Sequence, residues 1–419
     1  MRRIYNVILF LLLVGTILIF DYQKKKDISR FNNHLKRAET FEGMNANQDA
    51  ILEYKQALFY QDNPDITKKL FNLYLKRGDS SQAEERLKKL IVKNLASNKE
   101  IHDYLDHLFL KEDFASFNGF INNFKDMYDL EKYEYQRNFT YLTKDHKYSE
   151  VKQQGLRWFL VADEQRDFII NDQERILTDK ETKTILNFDE INQEYLAITD
   201  RKKTIYKINK EVKGQLPDHS HDIYLDSKYL IKNNNGMILA DRLGEVLCEA
   251  DFISQLWQGK YISLEKDQWY IHQKQHRQAL DLQAKAIRLN KLEQAVIDDK
   301  LIYENNGNFI YDLNTKKQSA NYEQVDFSYS ENIAVKSKEG WGFINQNFDT
   351  VSKMSYEGAK SFSNGIGAVQ INGLWYFIDD EFRLDSKAYE DIITPNDIGI
   401  AFIKEDGLWS MITFIKDML

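Results

Sequence analysis

Three hydropathy regimes follow one another along the chain. Residues 4–20, IYNVILFLLLVGTILIF, carry no charge and predict one apolar helix of about 26 Å at a rise of about 1.5 Å per residue. From Ile28 to Trp158 apolar positions recur at helical spacing, which predicts amphipathic helices packed as hairpins. From Asp163 onward the period shortens to two. Short runs of Tyr, Ile, Phe and Val are broken there by turn signals such as Asn233-Asn234-Asn235-Gly236, Asn305-Asn306-Gly307 and Glu339-Gly340, a pattern of strands. We therefore expect a tail and membrane anchor over 1–26, helical repeats over 27–160 and an all-β repeat domain over 161–419, a multidomain α + β chain.

Arg2 and Arg3 precede the apolar run, Lys24, Lys25 and Lys26 follow it, and Tyr5 and Tyr22 occupy the two interfacial positions. This is the pattern of a short transmembrane helix. A cleaved signal peptide fits less well, because Phe20-Asp21-Tyr22-Gln23-Lys24 offers no small-residue cleavage site. The flanking charges nearly balance, so the charge rule leaves orientation open. A short tail with two arginines favours a single-pass protein of the cell membrane with an extracytoplasmic body.

In the helical region Phe41, Ala50, Tyr54 and Ala57 correspond to Tyr74, Ala83, Leu87 and Leu90, each pair 33 residues apart. Such a period marks stacked helix pairs. NQDAILEYKQAL (47–58) and SSQAEERLKKLI (80–91) resemble the second helix of a tetratricopeptide repeat, although Ala38 and Phe71 stand where that family has a glycine. Segments 108–124 and 141–158 continue the rhythm, for an expected three to four hairpins. Their function reads equally as a concave peptide-binding groove or as packing support.

Three β units near the C-terminus are copies of one another: AVKSKEGWGFINQNF from Ala334, AVQINGLWYFIDDEF from Ala368 and AFIKEDGLWSMITF from Ala401. Trp341, Trp375 and Trp409 follow at intervals of 34 residues, and Tyr322, Tyr356 and Tyr389 each precede a glutamate. Trp341-Gly342-Phe343-Ile344-Asn345 resembles the bacterial WG repeat; the glycine becomes Tyr376 and Ser410 in the other copies. Weaker versions centre on Ile176, Ile205, Met237, Trp269 and Phe309, making eight. A unit this short cannot bury its own strands, so units stack or close. A seven- or eight-bladed β-propeller leaves no exposed edge, and an open β-solenoid-like array is the second choice. The recurring tryptophans suit inter-blade core positions; a ring of ligand-stacking aromatics has the same period.

Composition narrows the classes further. Fifty-five aromatic residues against 18 Gly and 3 Pro exclude collagen-like and linker-rich chains. The lone Cys248 excludes an internal disulfide and any Cys₄ or CxxC framework, and its apolar strand suits a buried, inert thiol. The net charge of −8 divides unevenly: residues 22–160 hold 24 basic and 21 acidic side chains, residues 161–419 hold 31 and 43. An acidic C-terminal region without a basic stripe argues against nucleic acid as a partner.

No phosphate-binding loop, nucleophile elbow, HExxH or calcium-loop pattern is present, so no catalytic or cofactor residue is assigned and no cofactor is expected. The one metal candidate is weak. His219 and His221, an extended His-x-His pair flanked by Asp218 and Asp222, would suit Zn²⁺, but no third ligand can be named and a solvated loop after Pro217 is the preferred reading. His272 and His276 stand at helical spacing in a stretch of strand and turn and are not read as a pair. The expected function is a membrane-anchored, non-enzymatic scaffold recognising a protein or a cell-envelope polymer. The WG resemblance implies a fold and a recognition role but transfers no catalytic residue. The competing class is a glycan-directed envelope hydrolase with paired carboxylates in a propeller channel.

Overall fold

The computed structural model describes residues 2–178, 184–199, 201–208, 211–217, 220–225, 228–233, 236–241, 243–255, 260–266, 268–273, 276–280, 296–297, 300–304, 307–326 and 331–418. Two compact units divide it, one of residues 1–134 with 418–419 and one of residues 135–417.

The first unit is helical: α1 (Arg2–Gly43), α2 (Asn47–Tyr60), α3 (Pro64–Arg77), α4 (Ser80–Val92), α5 (Asn98–Leu110) and α6 (Phe114–Phe124), with α7 (Glu131–Phe139) crossing the division. α1 packs on α2, α3 on α4 and α5 on α6. Local chemistry sets the ends. Asn63 Oδ1 accepts from the amides of Asp65 (2.9 Å) and Ile66 (3.3 Å) ahead of Pro64, a residue suited to the first helical position. Asp79 and Asp113 accept from the amides of Gln82 and Ser116. Gly78, in the left-handed region at φ +77°, closes α3. The residues that repeat at 33-residue spacing form the core: Ala50, Tyr54, Ala57, Ala83, Leu87 and Leu90 are buried, and the alanines let neighbouring helices approach closely.

α1 carries residues 4–20 as helix. Among the described residues no helix is long and apolar enough to cross a membrane. The side chains of 2–12 and 17, most of the expected anchor, lie outside that description.

The second unit holds eight antiparallel sheets among the described residues, in chain order 150–171, 184–215, 220–250, 252–280, 296–312, 324–344, 358–379 and 391–414; we number them 1 to 8. Sheet 8 gains a fourth strand, Tyr141–Tyr148, which pairs antiparallel with Leu408–Phe414. The expected fourth helical hairpin over 141–158 is therefore strand, and the boundary at 160 moves back to the division at 134/135. Tertiary pairing overrides the helical rhythm there, because Tyr141–Tyr148 covers the backbone edge that sheet 8 would otherwise expose.

Each sheet packs on its predecessor and its successor. Leu160 and Ile169 of sheet 1 meet Ile185 and Tyr195 of sheet 2; Leu196 and Ile205 meet Tyr229 and Ala240 of sheet 3; Leu230 and Leu239 meet Ile253 of sheet 4. Trp269 continues to Tyr311 of sheet 5, Ile310 to Val335 and Ile344 of sheet 6, Phe343 to Val369 and Ile378 of sheet 7, and Phe377 to Ile403 and Ile412 of sheet 8. Phe402 and Met411 of sheet 8 then pack on Phe159 and Val161 of sheet 1. The side-chain period of two makes this possible: Phe159 and Val161 face sheet 8 while Leu160 between them faces sheet 2.

Phe414 lies where the first and last strands of the unit meet, fully buried, with its ring 5.8 Å from Tyr141 and 5.1 Å from Phe377. Phe414→Ala is expected to lower unfolding stability by about 3–5 kcal/mol, read from urea unfolding of the full chain by tryptophan fluorescence; an unchanged midpoint would contradict this packing.

Candidate functional site

The signature residues occupy equivalent strand positions. Phe168, Lys203, Met237, Trp269, Phe309, Trp341, Trp375 and Trp409 are each the second residue of the third strand of their sheet. The expected centres at Met237, Trp269 and Phe309 coincide with this register. Ile205 is two residues along the same strand, and Ile176 lies on the following segment, bridged to Ile170. That first copy was misplaced because it has an Ile on both segments and no tryptophan to fix the frame.

Trp341 and Tyr356 exchange backbone hydrogen bonds of 2.9 and 3.0 Å, as do Trp375 and Tyr389 (2.9 and 2.8 Å) and Asn308 and Tyr322 (2.8 and 2.9 Å). Each Tyr thus ends the short segment that edges the third strand. The glutamate after it caps the next unit. Glu357 accepts from the amides of Asn372 (3.1 Å) and Gly373 (2.7 Å), and Glu390 from Gly407 (3.0 Å). Asn372-Gly373 and Asp406-Gly407 have positive φ at both residues, the hairpin turn that matches strand twist. The Asn or Asp ending the third strand closes the following turn: Asn345 Oδ1 accepts from Asn347 and Asp349, Asp379 Oδ1 from Arg383 and Asp312 Oδ1 from Asn314 and Thr315.

Trp409 is buried, and Trp341 and Trp375 are half-buried against inter-sheet clusters. Lys360 Nζ lies 4.5 Å from the Trp375 ring centroid. Tyr389 is buried, its hydroxyl bonded to that of Tyr141, and burial raises its pKa above the ordinary phenol range. Gly342 is required by close approach: a Cβ there would meet Met354 Sδ at 2.5 Å and the Lys353 carbonyl oxygen at 2.8 Å. At the equivalent Ser410 the covering strand is Tyr141–Tyr148, and Lys147 Nζ donates to the serine hydroxyl, so a side chain is accommodated.

Other polar groups were candidates for chemistry. His219 and the side chain of His221 lie outside the described residues. Burial raises the carboxyl pKa values of Asp380, Asp385 and Asp417 and lowers that of Lys416. Lys416 Nζ donates to the Asn364 carbonyl, and the Asp385 carboxylate accepts from the Lys387 amide. None of the three carboxyls lines either of the two cavities below.

The larger cavity, about 790 Å³, lies in the helical unit between α2, α3 and α4. Lys55, Arg86, Lys88, Lys89 and Lys93 line it against only two carboxylates, Asp62 and Glu85, and Phe59 and Val92 stand at its rim 80% and 84% exposed. The second, about 470 Å³, lies beside Tyr389, Glu390 and Lys404 of the β unit.

A third grouping escaped the sequence reading. Cys248 of sheet 3 and Glu265 and His272 of sheet 4 bring one ligand atom each to within 4.8 Å of one another. Their spacing of 17 and 7 residues follows no metal motif. The only signal was strand alternation, which puts Tyr261, Ser263 and Glu265 on one face with His272 opposite Tyr261.

A family model described as the WG containing repeat matches residues 341–375. No curated protein matches the chain. Among solved structures, the chain is similar to PorZ, described as a bacterial surface component of the type-IX secretion system of Porphyromonas gingivalis (9% identity, 63% of this chain, TM-score 0.33). It spans 42% of the length of that structure. It is also similar to Hsv2p of Kluyveromyces lactis (10% identity, 58% of this chain and 98% of that one, TM-score 0.38). A further similarity is to the extracellular domain of a one component system of B. thetaiotaomicron (8% identity, 66% and 42%, TM-score 0.33).

Gly342→Ala is expected to destabilise the β unit by about 1–3 kcal/mol, since the Lys353 backbone must move to admit a methyl group. Ser410→Gly leaves its strand's packing in place and should act less. Comparing their denaturation midpoints checks the assignment; equal effects would remove it.

Proposed function

We propose that the chain is a membrane-anchored, non-enzymatic scaffold whose helical unit binds an acidic, amphipathic segment of a protein partner. The observation that carries this reading is the 790 Å³ groove, five cations against two carboxylates, with Phe59 and Val92 exposed at its rim. Exposed aromatic and aliphatic side chains beside a cation-rich lining, in which Arg86 and Lys89 share Glu85, Lys88 pairs with Glu84 and Lys93 with Asp62, suit a helix that presents an apolar face and flanking Asp or Glu. The 33-residue period and the alternating helix pairs support a tetratricopeptide-like helical unit. The eight sheets, each packed on its neighbours and the eighth on the first, support an eight-bladed β-propeller of WG-type repeats. Residues 4–20 serve as the anchor, with the body extracytoplasmic. Because the repeat aromatics and carboxylates are consumed by bridges, caps and turns, the β unit reads as a recognition surface rather than a reactive centre.

Charge reversal tests the groove. Lys55→Glu, Arg86→Glu and Lys89→Glu together should reduce partner recovery by crosslinking and pull-down from native membranes by about 10-fold or more, with helix content unchanged by circular dichroism. Undiminished recovery would remove the groove from binding. Leu11→Lys with Leu13→Lys should move the protein from the membrane to the soluble fraction; retention in the membrane fraction would reject the anchor.

A further inference from the structure

The contact between sheets 3 and 4 brings a thiol, a carboxylate and an imidazole together. Its interior is apolar at Leu230, Leu239 and Ile253, but toward the outer strands sheet 4 presents Tyr261, Ser263, Glu265 and His272 to Cys248 of sheet 3. Ser263 is fully buried and Cys248, Glu265 and His272 are half-buried. The opposite face of sheet 4, Ile262, Leu264, Trp269 and Ile271, packs on sheet 5 in the ordinary way. The polar set thus occupies one face of sheet 4, beside the apolar interior of the same contact.

We infer that Cys248, Glu265 and His272 form a three-ligand site for a borderline divalent transition-metal ion, Zn²⁺ in particular. The donor set is sulfur, imidazole nitrogen and carboxylate oxygen, a combination that suits Zn²⁺ and disfavours the hard cations Mg²⁺ and Ca²⁺. Its atoms already converge within 4.8 Å. His272 Nε2 stands 3.8 Å from Glu265 Oε1. A Zn²⁺ ion with bonds of about 2.0–2.3 Å fits among them after small side-chain rotations.

The surroundings hold each donor in place. The His272 ring stacks on Tyr261 with centroids 4.3 Å apart. Arg277 Nη2 donates to Glu265 Oε2 at 2.7 Å, which leaves Oε1 for the ion and fixes the plane of the carboxylate, the part played by outer-shell partners at metal sites. Ser263 Oγ lies 2.7 Å from His272 Nε2 and 2.9 Å from Glu265 Oε1, beside the two donors that the ion would draw together. Burial holds the His272 pKa below its ordinary value, so the imidazole is neutral, as a ligand must be. Burial raises the Cys248 pKa, so the thiol loses its proton to solvent only as the S–Zn bond forms. Thiolate, carboxylate and Zn²⁺ then sum to zero charge, which suits a half-buried position between two sheets. Three protein ligands leave the fourth position to water or Ser263.

The test uses the full chain, stripped with chelator and titrated with Zn²⁺ against a chromophoric competitor. One tight equivalent per chain is expected. Cys248→Ser and His272→Gln should each weaken binding about 100-fold or more, beyond the roughly 10–100-fold of an outer-shell change expected for Arg277→Met. Co²⁺-loaded protein should show a sulfur-to-cobalt charge-transfer band that Cys248→Ser abolishes. Melting of the metal-free variants separates ligand loss from unfolding, and the cobalt band of the parent protein stands independently of any variant. Absence of a tight equivalent in the parent, or tight binding that survives in both ligand variants and disappears in His219→Ala/His221→Ala, would overturn the assignment.

Discussion

Every sheet of the β unit has two faces to bury and no helix layer to bury them with, and this constraint governs the rest of that unit. A sheet flanked on one side only would leave a row of apolar side chains in water, at about 25 cal/mol for each Å² exposed. The solution is cyclic succession: Phe402 of sheet 8 on Phe159 of sheet 1 completes the series that starts with Leu160 on Ile185. The strand Tyr141–Tyr148 locks it by pairing with Leu408–Phe414, joining residues such as Tyr141 and Phe414 that are 273 positions apart. Closing so long a loop carries an entropic penalty that grows only logarithmically with length, whereas the edge it covers would be open to pairing with another chain.

The same constraint explains what the repeated residues are for. Many polar side chains of each unit stand at the strand ends, where backbone groups need partners. Asn345, Asp379 and Asp312 close the turns after the third strand, and Glu357 and Glu390 satisfy hairpin amides of the following unit. One unit therefore supplies a capping residue to the next as well as a packing face. A repeat protein built this way keeps its signature without any ligand selecting it.

Much of this was legible in the chain. Trp341, Trp375 and Trp409 mark one frame because the indole recurs at the same strand position, and the helical period survived in Ala50 and Ala83 because helices approach closely there. Legibility failed where tertiary pairing decides. Segment 141–158 carries a helical rhythm yet forms strands, since its partner lies at the far end of the unit. Lys203 occupies the position that a tryptophan holds elsewhere, so the second copy could be placed only two residues off. The Cys248, Glu265 and His272 grouping was invisible for a related reason: two of its members share a hairpin and the third belongs to the neighbouring sheet.

A polar island in an otherwise apolar contact calls for its own physical account. Taking a hydroxyl, an imidazole and a carboxylate partly out of water costs several kcal/mol unless hydrogen bonds offset it. The Ser263 hydroxyl, shared between His272 and Glu265, and the Arg277 guanidinium on Glu265 supply that offset. Arg277 also lies 3.6 Å from the centroid of the Tyr270 ring, an arrangement that holds its charge at the edge of the contact. An apolar set of equal volume would pack there with no such network. What sets this junction apart is the convergence of sulfur, nitrogen and oxygen donors within 4.8 Å of one another, which the proposed Zn²⁺ site accounts for.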